Sequence, residues 1–247
     1  MKKIEDCRII SNKMISEDVF EIQLETKEIA AASKPGQFVE VKLDSLFLRR
    51  PISIGKIEEN TLYLYVKIVG RGTLNLSKMK VDERVNVIGP LGNSFEAMED
   101  KKIVLVGGGI GIAPLINIAN TYRNDYYVFA GFKEEAYGTE VFDRVAIEKH
   151  YVIESKDQCF VTDVLEKEID RIKPDCIMSC GPAKMMKKIA LIAKERQIET
   201  YLSLEERMGC GFGACVGCSI VMKNGEIKKV CVDGPVFSSE GVNYYEW

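Results

Sequence analysis

The sequence predicts a multi-domain chain of β and α/β parts: an N-terminal antiparallel β-barrel, an α/β domain on a parallel sheet, and a small cysteine-rich module at the C-terminal end. Three observations predict it. Short runs of alternating apolar and polar residues extend from Cys7 to about Phe95. After Met98-Glu99-Asp100-Lys101-Lys102 the texture changes, and strands alternate with helices. From about Glu206 onward glycine and cysteine dominate. With 247 residues the chain is long enough for two domains and a module. The expected limits are 1–97 for the barrel, 98–205 for the α/β domain and 206–247 for the module.

In the first part, Val19–Leu24, Phe38–Leu43 and Leu62–Val66 alternate as half-buried strands do. Turn signals separate them at Lys34-Pro35-Gly36, Glu58-Glu59-Asn60 and Gly89-Pro90-Leu91-Gly92-Asn93. Strands of this length and spacing predict a small barrel, interrupted by one short helix near Leu74–Met79. In the second part, Ile103–Val106 reads as a buried strand and Pro114–Tyr122 as a helix with proline in its first turn. Tyr126–Ala130 and Cys176–Ser179 are further strands, and a helix runs from about Ala183 to Arg196. Such alternation predicts a parallel sheet.

Composition excludes several functions. The 34 basic and 37 acidic residues leave a net charge of −3, which gives no electrostatic reason for nucleic acid or an anionic membrane as partner. Hydrophobic content of 46% and charged content of 29% are those of a soluble globular chain. The single histidine, His150, rules against a histidine-rich metal site and reads as a solvated surface residue. The first residues turn acidic before any long apolar run, unlike a signal peptide. The longest apolar stretch, Ile103–Ala119, carries four glycines and a proline and falls short of a membrane span. A cytoplasmic location, where thiols stay reduced, is the expectation.

The cysteines Cys210, Cys215, Cys218 and Cys231 read C-x4-C-x2-C-x12-C. That is the ligand order of a plant-type [2Fe–2S] centre, with the fourth cysteine unusually close. Gly209, Gly211, Gly213 and Gly217 allow the tight turns that aim backbone N–H groups at sulfur. Asn224-Gly225 marks a hairpin before Cys231. A structural zinc site normally pairs two C-x2-C knuckles, and here there is one. Disulfides are the other alternative. Cys7, Cys159 and Cys176 read as small buried hydrophobes.

Three further motifs carry chemistry. Arg49-Arg50-Pro51-Ile52-Ser53-Ile54 offers an arginine fork and a hydroxyl to a phosphate, the alternative being a charged turn. The run Tyr65-Val66-Lys67 leads to Gly72 and Thr73, whose N–H groups would open a short helix toward a pyrophosphate. Gly107-Gly108-Gly109-Ile110-Gly111-Ile112-Ala113-Pro114 joins a strand to a helix and suits close approach of a dinucleotide, although it does not fit G-x-G-x-x-G. A tight turn is the alternative. Cys180-Gly181-Pro182 follows a buried strand, where a parallel sheet places ligand contacts. The thiol would lie beside a nicotinamide ring, or serve only as a small residue before a turn.

In this order the motifs resemble the ferredoxin–NADP reductase superfamily, in which the barrel binds FAD and the α/β domain a pyridine nucleotide. Leu204-Glu205-Glu206-Arg207-Met208-Gly209-Cys210-Gly211-Phe212-Gly213-Ala214-Cys215-Val216-Gly217-Cys218 narrows the likeness. It resembles the electron-transfer subunits of NAD-dependent (class 1B) dihydroorotate dehydrogenases. The resemblance implies FAD contacts at Arg50, Pro51, Ile52, Ser53, Tyr65, Val66, Lys67, Gly72 and Thr73. It implies NAD(H) contacts at Gly107, Gly108, Gly109, Gly111, Cys180 and Gly181, and cluster ligands at Cys210, Cys215, Cys218 and Cys231.

It also implies a relay rather than a self-contained enzyme, with no general acid or base from this chain. A separate FMN-containing catalytic subunit oxidises dihydroorotate in pyrimidine biosynthesis, and electrons reach NAD+ through the [2Fe–2S] centre and FAD. The implied assembly is a heterotetramer, with the loop around Gly211 and Ala214 exposed toward the catalytic subunit. Glu206, near the cluster loop, reads as a residue that tunes the potential or the partner contact, the alternative being a surface charge. The same architecture serves the small subunit of an NADH-dependent ferredoxin:NADP oxidoreductase or a sulfide dehydrogenase-like complex. A zinc-stabilised binding module is a reading of another class. NADH is expected over NADPH, although Lys133 or Arg144 could meet a 2′-phosphate.

Overall fold

The computed structural model describes residues 2–43 and 46–244. Residue 1 and residues 245–247, the outer limits of the first and third expected domains, lie outside it, as do residues 44 and 45. Six strands, β1 (Lys3–Met14), β2 (Val19–Glu25), β3 (Phe38–Val41), β4 (Arg50–Glu58), β5 (Thr61–Lys67) and β6 (Arg84–Leu91), close into a barrel of order β1-β2-β5-β4-β3-β6. Two short helices, α1 (Ile29–Ala32) and α2 (Arg71–Ser77), interrupt it.

Alternation builds the barrel core. Ile22 and Leu24 of β2, Val39 and Val41 of β3, and Leu62 and Leu64 of β5 are fully buried in one cluster. The expected turn at Glu59-Asn60 closes the β4–β5 hairpin, where Glu58 faces Thr61. Gly89-Pro90-Leu91 differs from expectation: it continues β6, because Gly89 and Ile88 still pair with β1. The arginine motif likewise lies in β4 rather than in a charged turn, with Arg50, Pro51, Ile52 and Ser53 paired to β3. The short helix starts at Arg71, earlier than expected, so Gly72 and Thr73 occupy its first turn.

The second body is a six-stranded sheet of order β14-β11-β10-β7-β8-β9. Its strands are β7 (Lys102–Gly108), β8 (Asp125–Phe132), β9 (Ala146–Ile153), β10 (Cys176–Cys180), β11 (Glu199–Ser203) and β14 (Val236–Ser238). The first five run parallel, and β14 joins β11 antiparallel. The connecting helices are α3 (Ile112–Thr121), α4 (Glu140–Val145), α5 (Glu154–Asp157), α6 (Val161–Ile172) and α7 (Ala183–Glu195). Successive residues of β7 serve opposite faces. Ile103 and Leu105 pack with Ile112, Leu115 and Phe142 of α3 and α4. Val104 and Val106 pack with Leu165 and Ile169 of α6 and Ile189 and Ile192 of α7. His150 departs from the expectation of a solvated side chain: it is half-buried on β9, stacked on Phe129 at 4.7 Å and 2.7 Å from Glu148 Oε1.

The barrel and the sheet meet along α3, whose buried Asn117 donates to the Ile54 carbonyl of β4 at 3.4 Å. The remaining hairpin, β12 (Ser219–Val221) and β13 (Ile227–Lys229), turns at Asn224-Gly225 as expected. Its core joins three parts of the molecule: Phe38 and Leu91 from the barrel, Met186 of α7 and Leu202 of β11 from the α/β body, and Cys218, Ile220, Val230 and Cys231 from the hairpin region. Among the described residues no helix is long and apolar enough to cross a membrane.

Candidate functional site: two grooves and a cysteine loop

The first groove, a cavity of about 320 Å³, lies on the outer face of the barrel where it meets the sheet. Arg50, Pro51, Ile52 and Ser53 of β4 and Tyr65, Val66 and Lys67 of β5 line it, with Thr73 of α2. Gly72 is not in the lining but lies against Arg50, whose Nε would stand in the way of a Cβ there. Arg50 is oriented by its own strand entry: Nη1 donates to the carbonyls of Leu48 at 2.6 Å and Arg49 at 3.1 Å. Thr73 is held by the loop before α2, its Oγ1 accepting from the N–H of Val69 at 2.9 Å.

The second groove, about 1040 Å³, opens over the carboxyl ends of β7, β8 and β10. That is the switch point of the sheet, where α3 leaves β7 on one side and β10 lies on the other. Gly108, Gly109, Gly111 and Gly181 line it. Gly107 and Cys180 do not; they pair with each other in the parallel register just beneath. Cys180 is 1% exposed, and burial raises its thiol pKa. The turn into α3 demands glycine at position 111, since a Cβ there would stand 2.6 Å from the carbonyl carbon of Cys180. Lys133 lines the groove, whereas Arg144 donates to Asn120 at 3.1 Å and lies outside the lining.

Lys67, Ile110, Glu205 and Glu206 line both grooves, so the two cavities adjoin. Sequence reasoning singled out Glu206 and passed over Glu205. Glu205 is exposed at the mouth of both cavities, and crowding by the surrounding groove walls raises its pKa. Its only sequence signal was its place between a buried strand and the first cysteine of the loop.

The four C-terminal cysteines come together as two pairs. Cys215 N–H donates to Cys210 Sγ at 3.3 Å, and the Cys218 and Cys231 side chains interact with each other. Burial works against the Cys210 thiolate, but the N–H groups of Cys215, Phe212 and Ala214 aimed at the sulfur lower its pKa to about 6. Burial, then Cys218, push Cys231 up to about 12. Among the described residues no three metal-ligating side chains surround one point. A mononuclear zinc site needs four thiolates around one ion, whereas a two-iron cluster takes two on each iron. Paired sulfurs with N–H donors aimed at them therefore fit the cluster. The loop is less open than expected: Ala214 is exposed, but Gly211 is buried against Glu40.

Residues 205–243 match the family described as the iron-sulfur cluster binding domain of dihydroorotate dehydrogenase B. Along nearly its whole length the chain is 36% identical to the "Dihydroorotate dehydrogenase B (NAD(+)), electron transfer subunit" of Caldanaerobacter subterraneus subsp. tengcongensis, over 95% of this chain and 96% of that one. It belongs to that family of electron transfer subunits. The counterpart from Lysinibacillus sphaericus is 39% identical over 96% of this chain and 97% of its own length. Among solved structures, the NADH-dependent reduced ferredoxin-NADP oxidoreductase, studied for flavin-based electron bifurcation, superposes with a TM-score of 0.89. It is 29% identical, with 98% of this chain and 91% of that chain covered. The fold expected from the motifs, a barrel and a reductase-type α/β sheet with an iron–sulfur domain at the C-terminal end, is the fold found.

Proposed function

We propose that this chain is the NAD-linked electron-transfer subunit of a dihydroorotate dehydrogenase. The observation that carries the reading is the junction of the two grooves at Lys67, Ile110, Glu205 and Glu206, with the cysteine loop starting just beyond. Arg50, Pro51, Ile52, Ser53, Tyr65, Val66, Lys67, Gly72 and Thr73 are the residues we assign to FAD. Gly107, Gly108, Gly109, Gly111, Cys180 and Gly181 are assigned to NAD(H), with Gly107 and Cys180 shaping the groove floor rather than touching its contents. Cys210, Cys215, Cys218 and Cys231 are assigned to the [2Fe–2S] cluster. A flavin exchanges both single electrons and hydride, so it is the cofactor that links a one-electron cluster to a nicotinamide. The chain's own contribution is positioning: Arg50 holds phosphate, the glycine turn admits a dinucleotide to the backbone, and the N–H groups around Cys210 stabilise thiolate.

Dihydroorotate oxidation is assigned to an FMN-containing catalytic partner, in keeping with the name of the related subunits. We place the contact on the cysteine-loop face, where Phe212, Val216 and Val232 are exposed apolar side chains. The assembly is a heterotetramer in the reducing cytoplasm. The likeness to the NADH-dependent ferredoxin-NADP oxidoreductase favours a second reading, in which the partner is a larger ferredoxin-reducing flavoprotein. Co-expression with the matching dihydroorotate dehydrogenase catalytic subunit separates the two. A stable complex that reduces NAD+ with dihydroorotate is expected. Failure to associate, with tight binding to a ferredoxin-reducing flavoprotein instead, supports the second reading.

A further inference from the structure

Glu40 stands in β3 between Val39 and Val41, both fully buried in the barrel core. The pleat therefore turns Glu40, like Phe38, to the outer face of the barrel, where a carboxylate ordinarily meets water. Here it is 1% exposed, because the cysteine loop lies over it. Gly211 is the covering residue: its backbone has φ +73°, and a Cβ there would lie 2.6 Å from Glu40 Cγ and 2.8 Å from Cδ. Neither carboxylate oxygen has a hydrogen-bond partner. The charged groups acting on it are Arg49 and Arg50 from the barrel and Cys210 from the loop. Arg49 spends its donors elsewhere, on the Glu40 backbone carbonyl at 3.3 Å and on Asn86. Across the β3–β4 pair Glu40 faces Pro51, which lines the first groove.

An unpaired buried carboxylate costs stability, and a glutamine of the same shape would fill the space at lower cost. Packing alone does not account for an acid at this position. We propose that Glu40 is a positioning residue of charge, which holds the reduction potential of the cluster low through the Cys210–Gly211 stretch of the loop. The inference rests on the reading of the four cysteines as cluster ligands. Reduction adds one electron to the cluster, and a neighbouring charge that water screens poorly opposes it. Net charge around an iron–sulfur centre is one of the determinants of its potential.

The test is a redox titration of the full-length protein carrying its cluster, followed by electron paramagnetic resonance at pH 9. Burial, opposed by Arg49, raises the Glu40 pKa, and pH 9 is chosen to favour its ionised form. Glu40→Gln is expected to move the midpoint to a more positive potential, and Glu40→Asp to leave it near the parent value. The Gln variant is expected to melt no lower than the parent, which shows separately that it folds. An unchanged midpoint in the Gln variant would overturn the proposal. So would loss of the cluster from the Gln variant alone, which would make Glu40 a determinant of assembly. Absence of iron and of the resonance from the parent protein would instead refute the cluster reading, and this inference with it.

Discussion

Arg50 is the side chain on which the proposed FAD site is most directly tested. Its guanidinium is anchored on the carbonyls of Leu48 and Arg49 and packed against Gly72, at the edge of the first groove. Arg50→Ala is expected to weaken FAD binding by roughly 1.5–3 kcal/mol, the range of a charge-assisted hydrogen bond, read as flavin lost on gel filtration. Cys210 allows a second test in cluster-free protein. Its pKa near 6 lies below the ordinary 9.0, so the thiolate contributes stability in full above about pH 9, and loses it as the pH falls through 6. Alkylation of Cys210 by iodoacetamide, followed by peptide mass, is expected to show a midpoint near pH 6. A midpoint near the ordinary 9.0 would contradict the N–H donors aimed at the sulfur. The cysteines were readable in the sequence because ligation restricts their spacing. Glu40 was not, because an acid in an alternating strand reads as a solvated residue until a loop from far along the chain covers it.

At the scale of elements, the strands that alternated cleanly were readable, and those whose role is set by neighbours were not. β9 carries Glu148, Lys149 and His150 in a charged run, and it is a strand because it completes the sheet edge beside β8. β14 is three residues long and has no periodicity to detect; its pairing with Leu202 and Ser203 of β11 defines it. That pairing bears on the expected boundary near residue 206. Truncation after residue 205 removes β14 and the side chains that cover Leu202 and Leu204, and is expected to lower the melting temperature or yield insoluble protein. Cys215→Ser leaves β14 in place. It is expected to lose iron and acid-labile sulfide while retaining most of the flavin, both measured on the purified variant. Loss of the flavin together with the iron would show that the two sites fold as one unit.

For the molecule as a whole, the expected content is one FAD and one two-iron cluster per chain, checked by absorbance and iron analysis; a colourless protein would leave only the zinc-module reading. The isolated chain is expected to reduce a dye acceptor with NADH, faster than with NADPH, and to be inert toward dihydroorotate. Equal rates with NADPH would point to Lys133 at the second groove. The return of β14 to the sheet has a consequence for how such a chain can be rebuilt. Leu204 N–H donates to the Pro235 carbonyl at 2.8 Å, and Asn93 at the end of the barrel binds the carbonyls of Asp233 and Val236. The whole redox segment thus departs from and rejoins the sheet at one place, as a closed excursion rather than a tail. Segments with adjoining ends are those that tolerate transplantation. Replacing residues 206–234 by a short turn is expected to preserve the β11–β14 register but to lower the melting temperature, because Cys218, Ile220, Val230 and Cys231 would no longer cover Leu202 and Leu204.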